Sequence, residues 1–293
     1  MDVAEIKHAC EAHYGLQESP FSLTPDTSYY VEVASHDEAF ESVLFGLTSG
    51  EGFIKVTGEV GTGKTLLCRR LLNELAERNI DTAYIPNPTL SPTALWVAIG
   101  AELGLNGYHR LSQLRCDIQA YLVELAKQGR RLTLVIDEAQ CLPPDTLEAL
   151  RLISNLETER QKLIQIVLFG QPELDTILAQ QEFRQLKQRI TTTSSIDVIK
   201  SPDGVGYYLN HRLACAGYKG APLFTRSAVK RLWRISHGTP RLVNVLAGKA
   251  LLAAFGRGAN AITSDDVDAA AKDTESVLHN LSWSERLRYA VGM

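Results

Sequence analysis

Five short apolar runs punctuate the first two hundred residues, and segments with helical spacing separate them. Residues 53–57, 82–85, 132–136, 163–169 and 194–199 predict strands. Leu132-Thr133-Leu134-Val135-Ile136 has no polar interruption beyond a threonine, the pattern of a strand covered on both faces. Between these runs the sequence predicts helices over 66–72, 92–103 and 111–127. A further helix carries Leu147, Leu150, Ile153 and Leu156 on one face, with Asp145 as its cap. Strands alternating with helices predict an α/β fold, a parallel five-stranded sheet flanked by helices. The pattern changes at Lys200-Ser201-Pro202. After it come only helices, over 205–216, 226–236, 240–255 and 264–271, bounded by glycines, prolines or the caps Thr239 and Ser264. The expected organisation is an N-terminal segment with a first helix over 1–49, an α/β domain over 50–200, a small all-α domain over 201–275 and a tail over 276–293.

The first strand runs into Gly58-Glu59-Val60-Gly61-Thr62-Gly63-Lys64-Thr65, followed by Leu66. This is the G-x-x-x-x-G-K-[ST] phosphate loop in its required setting of strand, glycine loop and helix. Glycines at these places let successive backbone N–H groups turn inward, and the helix N-terminus adds partial positive charge. Residues 58–66 are thus the expected nucleotide cradle. Lys64 is expected to reach the β- and γ-phosphates, and the Thr65 hydroxyl to ligate Mg²⁺. ATP and Mg²⁺ are the cofactors this pattern implies.

Asp137 and Glu138 follow the buried run 132–136 directly. Ligands of doubly wound sheets bind at the carboxyl ends of strands, so both carboxylates are expected beside the phosphate loop. Asp137 there is suited to hold Mg²⁺, and Glu138 to orient and deprotonate an attacking water. Together they turn the expectation from nucleotide binding to hydrolysis. Asp137-Glu138-Ala139-Gln140 also resembles a helicase box, but the residues after Ser201 are too few and too helical for a second recombinase-like domain.

Three further positions each have two readings. Gln171, after the run 163–169, either aligns the water and feels the γ-phosphate or simply opens the turn at Pro172. Arg184 and Arg189, before the last strand, either supply an arginine to a neighbouring subunit's nucleotide or line a solvated basic helix. Arg241 sits in the first turn of a helix, where its charge opposes the dipole. Either a phosphate across the domain cleft explains it, or it is a surface arginine.

Bulk properties narrow the classes. The 293 residues carry 30 basic and 34 acidic side chains, a net charge of −4 with no single-sign block. That gives no electrostatic push toward nucleic acid or an anionic membrane. The five cysteines are scattered and never in C-x-x-C spacing, as expected of a reducing compartment. The N-terminus lacks a basic and apolar leader, and no stretch is long and apolar enough to span a bilayer. A cytoplasmic location follows as the expectation.

Taken together these motifs resemble AAA+ ATPases, and more narrowly the ExeA/GspA family of secretion ATPases, over nearly the whole chain. The narrowing rests on Tyr14-Gly15-Leu16, Ser19-Pro20-Phe21-Ser22-Leu23-Thr24-Pro25-Asp26, Val167-Leu168-Phe169-Gly170-Gln171-Pro172-Glu173-Leu174 and Gly238-Thr239-Pro240-Arg241-Leu242-Val243-Asn244. The resemblance implies that Gln171 is the sensor-1 residue, Arg189 the arginine finger and Arg241 the sensor-2 arginine of a helical lid. It implies that Pro20, Phe21 and His36 approach the adenine. It also implies homo-oligomers, rings with ATP between subunits, and pilus or secretion assembly proteins at the inner membrane as partners. Secretion members carry a transmembrane helix and a peptidoglycan-binding domain after the lid. This sequence shows neither, which favours the shorter branch that serves type IV (MSHA-type) pilus assembly. The alternative is a DNA-acting AAA+ regulator of the TniB/TnsC transposition type, which shares this core. The tail around Trp283 and Arg286 is suited either to docking a partner or to packing back on the lid.

Overall fold

A computed structural model describes residues 2–157 and 162–274. The tail singled out above lies outside them. The chain forms two compact units: residues 34–196 make one, and residues 2–33 with 197–274 make the other. Within residues 1–49, expected as a linker segment and the first helix of the α/β module, α1 (Val3–Tyr14) belongs with the C-terminal helices, whereas α2 (Ala34–Thr48) opens the α/β unit.

The α/β unit holds β1 (Phe53–Gly58), α3 (Lys64–Glu77), β2 (Asp81–Ile85), α4 (Pro92–Glu102) and α5 (Leu111–Lys127). It continues through β3 (Leu132–Ile136), α6 (Pro144–Ile153), β4 (Ile164–Gly170), α7 (Glu173–Leu178), α8 (Arg184–Lys187) and β5 (Ile190–Ile196). All five strands are parallel, in the order β2-β3-β4-β1-β5. Every residue of β1, β3 and β4 is buried, which is why these strands read as continuous apolar runs. Each fully buried Leu, Ile or Phe contributes about 1.5–3 kcal/mol relative to exposure, and Phe53, Ile54, Leu134, Ile166 and Phe169 all lie in this layer.

Register fixes which loops meet. Ile136 pairs with Leu168, and Leu168 with Lys55. The residues that follow β3, β4 and β1 consequently emerge at one edge of the sheet. Lys55 is buried in mid-strand and forms an ion pair with Asp175, which anchors α7 to β1.

Several boundaries differ from the sequence reading for identifiable reasons. The last strand is Ile190–Ile196, not 194–199, because its Thr and Ser residues alternate partly buried and exposed at the sheet edge and hide its length. Ile199 instead enters the core of the helical unit. Asp145 is not a cap: Pro143 takes that place, Pro144 starts α6, and Asp145 lies in the first turn. Leu156 falls beyond the helix end.

The helical unit contains α9 (Pro202–Cys215), α10 (Arg226–Ser236), α11 (Pro240–Gly256) and α12 (Ser264–Lys272). Thr263, rather than Ser264, caps α12 through a capping box with Asp266. Leu209, Leu232, Val243, Leu246 and Val267 form its core with Tyr14, Leu16, Phe21 and Tyr29 from the N-terminal segment. Arg212 holds that segment in place. Its buried guanidinium donates to the carbonyls of Pro20 at 2.6 Å and Ser22 at 3.1 Å, and lies over the Tyr29 ring.

Candidate nucleotide site

The phosphate loop is held by its own residues and by a side chain of α2. Thr62 is fully buried, and its hydroxyl donates to the Glu59 carbonyl at 2.8 Å, bracing the loop internally. Gly63 adopts φ +105°, a conformation that disfavours any side chain, and a Cβ there would sit 3.1 Å from His36 Nε2. His36 itself comes from α2 and donates Nε2–H to the Thr62 carbonyl at 2.7 Å. This histidine, expected near the adenine, is thus committed to the loop backbone. Burial depresses its pKa below the ordinary value, so the ring is held neutral.

Lys64 is buried at the start of α3, with Nζ donating to the carbonyls of Gly58 at 2.7 Å and Glu59 at 2.9 Å. Burial lowers its pKa, against the pull of Glu138 and Asp137. Its ammonium folds over its own loop, and phosphate oxygens would take over those two hydrogen bonds. Glu59 and Val60 at the loop tip are exposed.

Asp137 is buried and accepts from the Thr65 hydroxyl and from the Glu138 N–H at 2.9 Å. Burial raises its pKa, opposed by those hydrogen bonds and by Lys64. A carboxylate and a hydroxyl in contact are hard oxygen donors, and they fit Mg²⁺, which takes one or two carboxylates and fills its remaining positions with phosphate and water. Glu138 follows with φ +51° and ψ +40°, a left-handed conformation uncommon outside glycine. Its Oε2 accepts from Gln140 Nε2 at 2.6 Å and from Gln171 Nε2 at 3.1 Å. Gln171, directly after β4, is therefore in direct contact with Glu138.

The structure thus brings together Gly58–Leu66, Asp137, Glu138 and Gln171 at the carboxyl edge of the sheet. Arg189 lies elsewhere. It precedes β5 and donates to Ser154 Oγ at 2.8 Å, so the length of that strand, roughly 20 Å, separates it from its own phosphate loop. Arg184 is exposed on the short α8, so the two arginines do not share one basic helix. Pro20, Phe21 and Arg241 belong to the helical unit. The Phe21 ring is buried edge-on against Phe224, 5.8 Å between centroids, and the Pro20 carbonyl accepts from Arg212. Arg241 is exposed in the first turn of α11. Gln140 and Lys55 escaped sequence reasoning: the first lay in a helicase-like box, and the second inside the run 53–57 that predicts a strand.

Residues 47–178 match the family model described as an AAA domain. The fold is that of an AAA-type P-loop NTPase. Cdc6p of Pyrobaculum aerophilum superposes with a TM-score of 0.68 at 19% identity, over 90% of this chain and 74% of that one. The ORC1 protein of Aeropyrum pernix, solved in complex with DNA, superposes with a TM-score of 0.63 at 17% identity, over 92% and 74%. In sequence this chain is 40% identical to general secretion pathway protein A of Aeromonas hydrophila over 283 residues. That alignment takes in 95% of this chain and 51% of the relative, so the chain spans about half the relative's length. No helix among the described residues is long and apolar enough to cross a membrane.

Proposed function

We propose that this chain is an ATPase that binds ATP with Mg²⁺, hydrolyses it, and thereby powers or regulates assembly of a secretion or type IV pilus apparatus at the inner membrane through protein partners. The contact of Thr65 with Asp137, beside Lys64 and Glu138, carries the chemical half. The 40% identity to general secretion pathway protein A supports the cellular half. The finer reading, on the sequence signatures given above, is the MSHA pilus branch and its biogenesis protein MshM.

In this reading the backbone of 58–65 and the Lys64 ammonium orient the phosphates, while Thr65 and Asp137 hold the cation. Mg²⁺, when bound, neutralises charge on the β- and γ-phosphate oxygens. Glu138 accepts the proton of the attacking water, and the Gln171 amide marks the γ-phosphate position. Arg189, distant from its own loop, acts on the nucleotide of an adjacent copy in a homo-oligomeric ring, and Arg241 contributes from the helical unit. Lys64→Ala should abolish nucleotide binding, whereas Glu138→Gln should bind ATP and stall. Wild-type turnover in both variants would sink the mechanism. Trapping Glu138→Gln with ATP in cells and identifying the co-purifying proteins tests the partner class.

A second reading, a DNA-acting regulator, draws on one observation. Arg226, Lys230 and Arg234 are exposed at four-residue spacing along α10, a basic stripe. The fold shared with a DNA-bound ORC1 protein adds to it. Stimulation of turnover by duplex DNA, with affinity falling steeply with salt, would favour this reading over the first.

A further inference from the structure

Gln140 occupies the short turn Ala139–Cys141 after Glu138. Its side chain joins two groups that the mechanism uses separately. Oε1 accepts the backbone N–H of Gln171 at 2.9 Å, and Nε2 donates to Glu138 Oε2 at 2.6 Å. The first bond fixes the second: a backbone N–H can only donate, so the amide oxygen must face Gln171 and the amide nitrogen must face the carboxylate. Gly170 leaves the space in which this oxygen sits: a Cβ there would lie 3.3 Å from Gln140 Oε1.

The consequence for Glu138 is asymmetric. Among the described residues, both side-chain donors to its carboxylate, Gln140 and Gln171, converge on Oε2. Oε1 is left as the acceptor for a water. The left-handed backbone at Glu138, worth about 1–3 kcal/mol of strain, persists only if neighbours over-determine it. The Glu138 N–H to Asp137, the Cys141 N–H to the Glu138 carbonyl and the Gln140 amide are the bonds that do so.

We propose that Gln140 is a positioning residue that clamps Glu138 and the Gln171 backbone into one unit, aiming Glu138 Oε1 at the attacking water. The inference rests on the hydrolytic reading above for its rate consequence, but not for the clamp itself. When the Gln171 side-chain amide turns to a γ-phosphate, Gln140 remains as the donor that keeps Glu138 in place.

Two substitutions in the full chain separate the parts. Gln140→Met matches the shape and removes both bonds. Gln140→Glu keeps an acceptor for the Gln171 N–H but removes the donor and sets a second carboxylate against Glu138. Both should lower kcat about 10- to 100-fold, the cost of a misplaced base, while the Kd of a non-hydrolysable ATP analogue stays within about twofold. Hydrogen exchange over 165–175 should quicken in Gln140→Met and stay slow in Gln140→Glu. A kcat within about twofold of wild type in Gln140→Met would overturn the proposal, as would loss of analogue binding and melting temperature along with kcat. If the wild type itself shows no turnover above Glu138→Gln, the hydrolytic reading fails. The exchange comparison then decides the clamp, and unchanged protection in Gln140→Met overturns it.

Discussion

His36 donates its Nε2 hydrogen to the carbonyl of Thr62 at 2.7 Å, so a side chain of α2 grips the phosphate loop by its backbone. Because burial lowers the pKa of this ring, the unfolded chain takes up a proton more readily than the folded one. Stability is therefore highest above the ordinary value of 6.5 and falls as the pH drops below it, until the folded ring titrates too. Melting temperature should decline between pH 7 and pH 5 more steeply in wild type than in His36→Asn. Parallel curves would remove the assignment. His36→Ala should also weaken ATP-analogue binding about tenfold, roughly 1.4 kcal/mol, through loss of one buried hydrogen bond.

Gly238 has φ +73°, and a Cβ there would stand 2.0 Å from the carbonyl oxygen of Ile199. The same backbone stretch is tied by the Ile199 N–H to the Gly238 carbonyl at 2.9 Å and by Trp233 Nε1 to the Ile199 carbonyl at 3.1 Å. A side chain would collide with backbone that has no room to retreat. Gly238→Ala should cost more than about 3 kcal/mol, measured by denaturant unfolding of the helical unit. A loss below about 1 kcal/mol would show that the chain after β5 can shift.

Arg212 spends its guanidinium on two carbonyls of the N-terminal segment, those of Pro20 and Ser22. Arg212→Met keeps much of the volume but strands both acceptors. We expect a loss of about 3 kcal/mol and faster proteolysis within residues 17–33. Unchanged protease sensitivity there would mean that the apolar contacts of Phe21, Tyr29 and Val31 hold the segment alone.

Arg189 and Glu138 lie at opposite edges of the sheet, so their defects should complement in mixed assemblies. Arg189→Ala and Glu138→Gln should each reduce turnover about 10³-fold or more alone. A mixture should regain a measurable fraction, because some interfaces pair an intact Glu138 with an intact Arg189. Arg184→Ala, altering an exposed residue of α8, should stay within about twofold of wild type. No recovery at any mixing ratio would oppose action between subunits.

The parts of the molecule that were legible in the sequence are those where one physical requirement dominates. Leu132–Ile136, Leu111–Lys127 and Arg226–Ser236 have the expected bounds because burial on both faces, or on one helical face, dictates every apolar position. The phosphate loop, Asp137, Glu138 and Gln171 were legible because strand ends of a parallel sheet must converge. β5 was blurred because a Thr- and Ser-rich edge strand presents no apolar run. The helix α1 was missed because its burial partners lie in the helices after residue 197, two hundred residues away. The bonds that Gln140 makes to Gln171 and His36 makes to Thr62 were beyond reach for a related reason: each goes to a backbone group of another segment, and backbone partners leave no trace in side-chain pattern.

The helical unit takes Tyr14, Leu16 and Phe21 from the start of the chain and α9–α12 from its end. The α/β unit is in effect an insertion within it, a detour of 163 residues between Ala34 and Ile196. During synthesis the sheet can close on contacts already made, whereas the helical core must wait until the last helices emerge to meet residues made first. Its contact order is accordingly high, and its assembly should be the slow step of refolding.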